Sequence, residues 1–307
     1  MTTTESQPGP RAGNPACYRH PKRETYVRCT RCDRYICADC TRSAAVGQHC
    51  VQCVREGSKS VRQPRTVFGG RVTATAVVTY SLIALNVLAY LGELAHPGIV
   101  DRFGVLGEGL MRGGASYIYS PSFPPGFQAV GIAHGQWYRL ITGAFLHEPP
   151  GQGFGILHIA LNMWWLFVLG RALEPLLGSL RFAAVYLVSA VGSSVLVYLL
   201  APEALTIGAS GAIFGLTATY FVLSRRLRID RSYANRLIVT ALIWLVVSAG
   251  IDSWQGHLGG LLAGGAIAVA YGYAQGRHRT AIQVAATAGL VVLFAVVVVL
   301  RTTQLNA

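Results

Sequence analysis

Four polar side chains lie in or beside apolar segments of the chain: Ser210 in GASG, His257 in GHLGG, and His158 and Asn162 in HIALN. A serine hydroxyl becomes a useful nucleophile when a neighbouring base takes its proton, and histidine is the side chain that most often does so. We therefore predict Ser210 as a nucleophile and His257 as its general base. The competing interpretations are close helix packing for Ser210 and a satisfied core histidine for His257.

The same residues supply donors for an oxyanion, which acyl transfer requires. Ser210 stands near the predicted start of a helix, where backbone N–H groups are free and the dipole is positive. His158 and Asn162 are four residues apart and share a helix face. We predict Ser210, His158 and Asn162 as oxyanion donors. The alternative for His158 is an interfacial residue at the start of a helix. The alternative for Asn162 is a plain interhelical hydrogen bond.

No third catalytic acid is predicted. Asp252 is five residues before His257 and lies off its helical face, so the sequence favours a dyad. Nothing indicates a metal or an organic cofactor for catalysis.

The segments that carry these residues read as membrane-spanning helices. Hydrophobic residues make up 52% of the 307 residues and charged residues only 13%, and the mean hydropathy is +0.42. About 20 apolar residues suffice to cross a bilayer as a helix. We predict seven spans from the runs free of Asp, Glu, Lys and Arg: 72–92, 149–170, 182–202, 204–224, 237–251, 253–276 and 280–300.

The distribution of basic residues predicts the orientation. With the N-terminus inside, 22 of the 26 Lys and Arg residues lie on the inner side, as the positive-inside rule requires. Ser210, His257 and His158 then share a depth near the outer face. Glycines spaced by four in the segments of Ser210 and His257 permit a close crossing of the two helices. We expect the loop 93–148 to lie at the outer interface, with His147 solvated or interfacial, and Trp164 and Trp165 facing lipid or packed in the core.

The N-terminal part of the chain has a different composition. All seven cysteines fall between Cys17 and Cys53, and the segment is basic. Two tetrahedral zinc ions need eight ligands, and three C-x-x-C pairs with one C-x-x-H pair supply them. The odd cysteine count argues against a disulfide framework. His49 is an alternative ligand, although its position beside Cys50 makes it a bystander. The predicted ligands are Cys17, His20, Cys29, Cys32, Cys37, Cys40, Cys50 and Cys53.

The pairing of these ligands has two solutions. In the favoured cross-braced arrangement the first and third pairs hold one ion and the second and fourth hold the other; sequential pairing is the alternative. The head resembles a B-box-type zinc finger over about 40 residues. Thiolate ligands indicate a reducing, cytosolic compartment. The basic surface of this N-terminal part could bind a protein partner or anionic lipid head groups, whereas nucleic acid is not expected. An inert, solvated scaffold is the alternative.

The catalytic motifs, together with WYR at 137–139, resemble the rhomboid intramembrane serine proteases over residues 72–302. The resemblance implies six core helices and sometimes a seventh, a Ser–His dyad that opens to the outer side, and cleavage of transmembrane substrates near that face. Two positions depart from the family. Gly256 replaces the usual Ala, and Phe214 replaces a Tyr that stacks on the histidine in many members. Phe keeps the stacking face and loses the hydroxyl.

We therefore expect an all-α membrane protein, a bundle of seven transmembrane helices (six-helix rhomboid core plus one) with a small zinc-binding domain. It would be a serine endopeptidase of the plasma membrane, with a cytoplasmic N-terminus and an extracytoplasmic active site. The alternative is a non-catalytic rhomboid-like binder or adaptor. A solute transporter is disfavoured, because charged midplane groups and repeated broken helices are lacking. The predicted boundaries are a disordered N-terminus at 1–16, a double-zinc finger at 17–54, a linker at 55–71 and a protease domain at 72–302.

Overall fold

The structure is a computed structural model that describes residues 15–60, 64–73, 75–249 and 254–307. The chain divides into two compact units, Met1–Gln63 and Pro64–Ala307. The predicted disordered N-terminus, residues 1–16, lies outside the described residues except for its last two.

The smaller unit consists of two antiparallel hairpins followed by a short helix. Its elements are β1 (Ala16–Cys17) paired with β2 (His20–Glu24), β3 (Thr41–Ser43) paired with β4 (Gln48–Cys50), and α1 (Val51–Ser60). Ile36 and six of the seven cysteines are the buried residues of its core. A unit of this size buries too little apolar surface to be stable without cross-links or metal ions.

Helix α1 extends six residues into the segment predicted as a linker, 55–71. The side-chain amide of Gln52 donates to the carboxylate of Glu56 one turn later, at 3.0 Å. Such pairs support a polar helix, and the first proline of the predicted linker comes only at Pro64.

The larger unit is mostly helical, and seven of its helices in the described ranges have 18 or more residues. In chain order the helices are α2 (Val77–Ala95), α3 (Gly98–Phe103), α4 (Arg139–Thr142), α5 (Ile156–Leu177), α6 (Ser179–Leu200), α7 (Ser210–Leu227), α8 (Arg231–Ser248), α9 (Trp254–Tyr273) and α10 (Arg279–Leu305).

Four of these helices, α2, α5, α6 and α10, are long and apolar enough to cross a membrane. Helices α7, α8 and α9 overlap the predicted spans 204–224, 237–251 and 253–276 but are shorter or less apolar. Glycine-rich and arginine-bearing sequence reduces their hydropathy, while α7 is largely enclosed by its neighbours. The described residues therefore form a mostly helical unit with four candidate spans.

The segment between α2 and α5 carries a small antiparallel sheet with the strand order β6-β5-β7. The strands are β5 (Gly109–Arg112), β6 (Ala115–Tyr117) and β7 (Gln128–Val130). Arg139 is fully buried and its Nη1 donates to the backbone oxygens of Asp101 and Gly104 at 2.9 and 2.8 Å. Its guanidinium thus fixes the segment, because each buried N–H that meets a carbonyl avoids the free-energy cost of desolvation.

A buried carboxylate joins the start of α2 to the end of α5. Glu174 is fully buried and accepts hydrogen bonds from the backbone N–H groups of Val78 and Thr79, at 3.0 and 2.9 Å. The hydroxyls of Thr79 and Ser179 donate to it at 2.8 and 2.6 Å. The carboxylate therefore caps the first turn of α2, whose N–H groups have no partner within their own helix. The charge-free run 149–170 stops at Arg171, but helix α5 continues through Arg171 and Glu174 to Leu177, and the four donors let the buried Glu174 remain within it.

Helices α7 and α9 touch backbone to backbone through glycine. An ideal Cβ on Gly260 would lie 1.8 Å from the carbonyl oxygen of Gly211, and one on Gly264 would lie 2.3 Å from that of Gly215. Helix α6 packs on the same seam, since a Cβ on Gly259 would lie 2.5 Å from the carbonyl oxygen of Gly192. Only glycine permits these approaches, which bring the first turns of α7 and α9 together.

We predict that Gly260→Ala destabilises the protein by about 1–3 kcal/mol or more, because the methyl group collides with backbone that cannot rotate away. Unfolding of the purified protein in detergent measures the change. Gly289→Ala on α10 is the matched control, because nothing lies within 4 Å of its ideal Cβ; it should be neutral or stabilising by up to about 1 kcal/mol. Equal effects of the two substitutions would contradict the packing role.

Candidate active site

Ser210 and His257 are in hydrogen-bond contact. Ser210 is the first residue of α7, and His257 lies in the first turn of α9. The serine Oγ is 2.9 Å from the histidine Nε2, and the histidine is buried, with 2% of its surface exposed. The glycine contacts of α7 and α9 bring these two positions together, so that a hydroxyl and an imidazole meet across two helices. A base at this distance can take the hydroxyl proton directly.

Two further side chains hold the imidazole of His257. The ring of Phe214, one turn after Ser210, stacks on it with a centroid distance of 4.4 Å and an interplanar angle of 8°. Ser248, the last residue of α8, places its Oγ 3.2 Å from Nδ1 on the other side of the ring. Phe214, which was expected to keep a stacking face, therefore does stack on the histidine. Ser248 adds a contact that the sequence did not reveal.

His158 and Asn162 line the same cavity from α5. The backbone N–H of Glu148 donates to Nδ1 of His158 at 3.1 Å, so the neutral ring carries its proton on Nε2. Asn162 donates from Nδ2 to the backbone oxygen of His158 at 2.8 Å, and this group has a second N–H. Both residues therefore offer N–H donors at the cavity wall.

Gly208 lies between the serine and the α5 residues. Its φ of +130° is a conformation that favours glycine, and an ideal Cβ would lie 3.0 Å from Nε2 of His158 and 3.5 Å from Oγ of Ser210. A side chain at this position would occupy the space between the hydroxyl and the α5 donors. The first glycine of GASG thus keeps that space open.

The site opens into a cavity of about 290 Å³ with mainly apolar walls. Such a cavity suits an apolar side chain that is held beside a few polar groups. Its lining residues are Phe154, His158, Leu161, Asn162, Trp165, Ser210, Ile213, Phe214, Thr217, Leu237, Thr240, Ala241, Trp244 and His257.

Several of these residues carry no sequence signal that points to the cavity. Trp165 lines the cavity, whereas lipid contact or core packing was expected; it also packs on the buried core. Trp244 on α8 and Phe154 before α5 have ring centroids 6.2 Å apart at the cavity wall. Aromatic residues are common in membrane helices, so nothing in the spacing singled them out. Asp252, rejected as a third acid, lies outside the described residues.

His147 was expected to be solvated or interfacial, and this expectation is wrong. It is fully buried, its ring lies 5.2 Å from that of His158, and its backbone N–H donates to the buried carboxylate of Glu93 at 3.1 Å. Burial lowers the pKa of His147 to about 3, and the nearby His158 contributes in the same direction. The ring is therefore neutral, which is the form that a buried imidazole can adopt at least cost.

In the smaller unit, the cysteines and one histidine form two groups that could each hold a metal ion. Within each group the four ligand atoms lie within 4.8 Å of one another. All seven cysteines lie in the described ranges, and all are free thiols. The first group contains Cys17, His20, Cys37 and Cys40, and the second contains Cys29, Cys32, Cys50 and Cys53.

The distances within these groups fit tetrahedral coordination. Nδ1 of His20 lies 3.3 Å from Sγ of Cys37 and 3.4 Å from Sγ of Cys40, and the sulfurs of Cys32 and Cys50 are 3.8 Å apart. Two sulfurs on one zinc ion at about 2.3 Å each are separated by about 3.8 Å. Burial alone would raise the pKa of the Cys29 thiol, but backbone N–H donors, including that of Cys50, lower it to about 6. This favours the thiolate that a metal binds.

Comparison with known proteins places the larger unit in a family. The family model for the rhomboid domain matches residues 134–274. Rhomboid protease GluP of Bacillus subtilis is 37% identical over 146 residues, which are 46% of this chain and 27% of that protein. YdcA, a second rhomboid relative from Bacillus subtilis, is 36% identical over 141 residues, 44% of this chain and 67% of the relative.

A plant relative shows the same region of similarity. RHOMBOID-like protein 6, mitochondrial, of Arabidopsis thaliana is 33% identical over 134 residues, 41% of each chain. The matched rhomboid domain includes the helices that carry Ser210, His257, His158 and Asn162. The chain therefore belongs to the rhomboid family of membrane proteins.

Proposed function

We propose that the protein is an intramembrane serine endopeptidase that acts through a Ser210–His257 dyad. The proposal rests above all on the 2.9 Å contact between the serine Oγ and the histidine Nε2 beside an apolar cavity. The rhomboid protease relatives support the reaction class. The matched region spans only 27% of the length of GluP. The activity and the substrates of this chain are therefore inferred from its own residues.

The proposed reaction has two proton-balanced halves. Nε2 of His257 takes the hydroxyl proton of Ser210 while Oγ bonds to the scissile carbonyl carbon. The C–N bond then breaks and the same proton passes to the leaving amine. In the second half a water molecule gives a proton to Nε2 as its oxygen bonds to the acyl carbon. Ser210 then leaves the acyl carbon and recovers that proton.

The negative oxygen formed in each half would be stabilised by three groups. Ser210 is the first residue of α7, where backbone N–H groups are free of the helix ladder and the dipole is positive. His158 and Asn162 line the same cavity, and Nε2–H of the first and the second amide N–H of the other would be the side-chain donors. Donors fixed in place before reaction are worth more than donors that must reorganise.

The substrate class follows from the surroundings of the site. The cavity is formed by α5, α7, α8 and α9, and Leu161, Trp165 and Trp244 are among the apolar side chains of its wall. A polar peptide would lose hydration there without compensation. We propose transmembrane protein segments as substrates, cleaved near the outer face.

A non-catalytic binder or adaptor is the alternative function, since several relatives carry the name rhomboid-like. The same fold could hold a membrane segment without cutting it. The Ser–His contact favours catalysis, because binding alone gives no reason to keep a hydroxyl against an imidazole in a cavity.

We predict that Ser210→Ala and, separately, His257→Ala lower cleavage of a model single-pass substrate by about 10³-fold or more, because each removes a group that both half-reactions require. A serine-directed fluorophosphonate should label the native chain and not Ser210→Ala.

Ser224→Ala is the matched control, because Ser224 is also buried and lies at the other end of α7. It should retain labelling and cleavage. Substantial cleavage by Ser210→Ala or His257→Ala would contradict the dyad, and a native chain that is neither labelled nor active would favour the binder.

We also propose that both metal clusters bind structural zinc. The donor sets are Cys₃His and Cys₄, which suit zinc, and each is closed, with no open position for catalysis. The composition of the groups corresponds to the cross-braced pairing. The finger at 17–54 would then be a B-box-like domain followed by a linker. Its basic surface is a candidate binding site for a protein partner.

We predict two zinc ions per chain in the purified full-length protein, measured by metal analysis. The double variant Cys29→Ser, Cys32→Ser should retain one ion, because it removes two of four ligands from one cluster. His49→Ala is the control and should retain two. A metal-free, folded native chain, or one ion in the His49 variant, would contradict this ligand set.

For the membrane topology, we propose seven spans with the N-terminus in the cytoplasm and the site near the extracytoplasmic face of the plasma membrane. Two of the spans, α7 and α9, would be enclosed in large part by the other helices, so they need less apolar surface. The third, α8, is mostly exposed, and its lower hydropathy comes from the polar residues of its first two turns, among them Arg231, Asn235 and Arg236. The excess of Lys and Arg on the proposed inner side supports this orientation. One relative is mitochondrial by name, so family membership does not determine which membrane holds the protein. The plasma membrane is part of the proposal.

We predict that a reporter fused before Met1 and one fused after Ala307 report opposite sides of the membrane, with the first on the inner side, because an odd number of spans separates them. Alkaline phosphatase and green fluorescent protein fusions measure this. Reports from the same side at both ends would contradict seven spans.

A further inference from the structure

We infer that Ser248 is a positioning residue that sets the tautomer of His257. The inference deepens the proposed function, because its catalytic consequence rests on the Ser210–His257 dyad. Ser248 contributes no group to the substrate. It acts through the imidazole, from a third helix that carries neither member of the dyad.

The geometry around Ser248 supports this role. It is the last residue of α8 and is fully buried. Its Oγ lies 3.2 Å from Nδ1 of His257 and 2.9 Å from the backbone oxygen of Leu245, one turn earlier. Both distances are within hydrogen-bond range. The hydroxyl therefore connects the imidazole to the end of a helix.

The direction of each hydrogen bond follows from counting protons. A serine hydroxyl has one proton and two lone pairs. A carbonyl oxygen can only accept, so the proton of Ser248 goes to Leu245. The Oγ must then accept from His257, which places a proton on Nδ1.

A neutral imidazole has one N–H, so a proton on Nδ1 leaves Nε2 with its lone pair. Nε2 is the atom that lies 2.9 Å from the Ser210 hydroxyl. The hydroxyl can then donate to Nε2, which is the direction that general-base catalysis needs. With the opposite tautomer, Nε2 would carry a proton and could not accept the one on Ser210.

The same contact serves the charged intermediate. When the proton of Ser210 reaches Nε2, both ring nitrogens carry protons and the ring is positive. The Nδ1–H bond to Ser248 then becomes a charge-assisted bond, which is stronger than a neutral one. Phe214 holds the plane of the His257 ring, and Ser248 keeps the ring proton on Nδ1.

The experiment that tests the inference uses full-length protein with ¹⁵N-labelled histidine, in detergent or lipid. Nitrogen spectra distinguish protonated from unprotonated ring nitrogens, and subtraction of the His257→Gln spectrum identifies His257. In the native chain we expect a protonated Nδ1 and an unprotonated Nε2. Ser248→Ala should give a mixture of tautomers, and Ser248→Thr, which keeps the hydroxyl, should restore the native pattern.

The kinetic readout uses the same variants with the model substrate. Ser248→Ala should lower kcat by about tenfold with KM unchanged, since one hydrogen bond to the base is lost and the cavity is not altered. Ser248→Thr should recover most of this loss. Ser189→Ala is the control, because Ser189 is buried and bonds a backbone oxygen on α6 without contacting His257; its kcat should stay within twofold.

The outcomes separate this inference from the proposed function. The nitrogen spectra report the tautomer whether or not the chain cleaves anything, so an inactive native chain with the expected pattern would overturn the protease and retain the positioning contact. A protonated Nε2 in the native chain, or an unchanged tautomer in Ser248→Ala, would overturn the inference. Equal losses in Ser248→Ala and Ser248→Thr would do so as well.

Discussion

The contact between the backbones of α7 and α9 governs the geometry of the larger unit. Where carbonyl oxygens of one helix meet Cα atoms of the other, the separation of the helices is fixed by hard atoms and not by flexible side chains. Two short side chains, a serine and a histidine, can then meet at hydrogen-bond distance with little freedom to drift. A wider crossing filled by leucines would leave several ångströms between Ser210 and His257, and no rotamer of a serine could cover that gap.

The sequence alone identifies polar side chains that lie in recognisable motifs and at the same predicted depth in the membrane. It does not identify contacts that depend on how two helices cross. Ser210 and His257 stood out because polar side chains in apolar, glycine-spaced segments are costly and therefore rare. Ser248 did not, because a serine near the end of an apolar run is common and its partner lies on another helix. Glu174 was missed for a different reason: the charge-free run stops at Arg171, three residues earlier, although a buried carboxylate with four donors can remain inside a helix. His147 was misjudged because loop residues are exposed by default.

In the smaller unit, the ordered core depends on how the pairs of Cys and His side chains alternate along the chain. Each cluster of four Cys or His side chains joins two pairs that are separated in the chain by a pair belonging to the other cluster. Neither cluster can form fully without bringing the other's ligands nearer, so the two sites support each other. The segment has only one fully buried aliphatic side chain among its described residues, Ile36, and the proposed zinc ions would supply the order that so small a core cannot. The two units therefore differ in what stabilises them: close helix packing in the larger unit and, on the proposed zinc binding, metal ligation in the smaller one.

The carboxylate of Glu174 has a consequence for the biosynthesis of the protein. The backbone N–H of Thr79 and the carboxylate that accepts its hydrogen bond are 95 positions apart in the chain. A ribosome that has completed α2 has therefore not yet made the group that satisfies the exposed start of that helix. Helix α2 must therefore reach the bilayer with its first turn still hydrated, and that turn gains its carboxylate partner only after α5 has been synthesised. Insertion and final seating of α2 are in this way separate events in time.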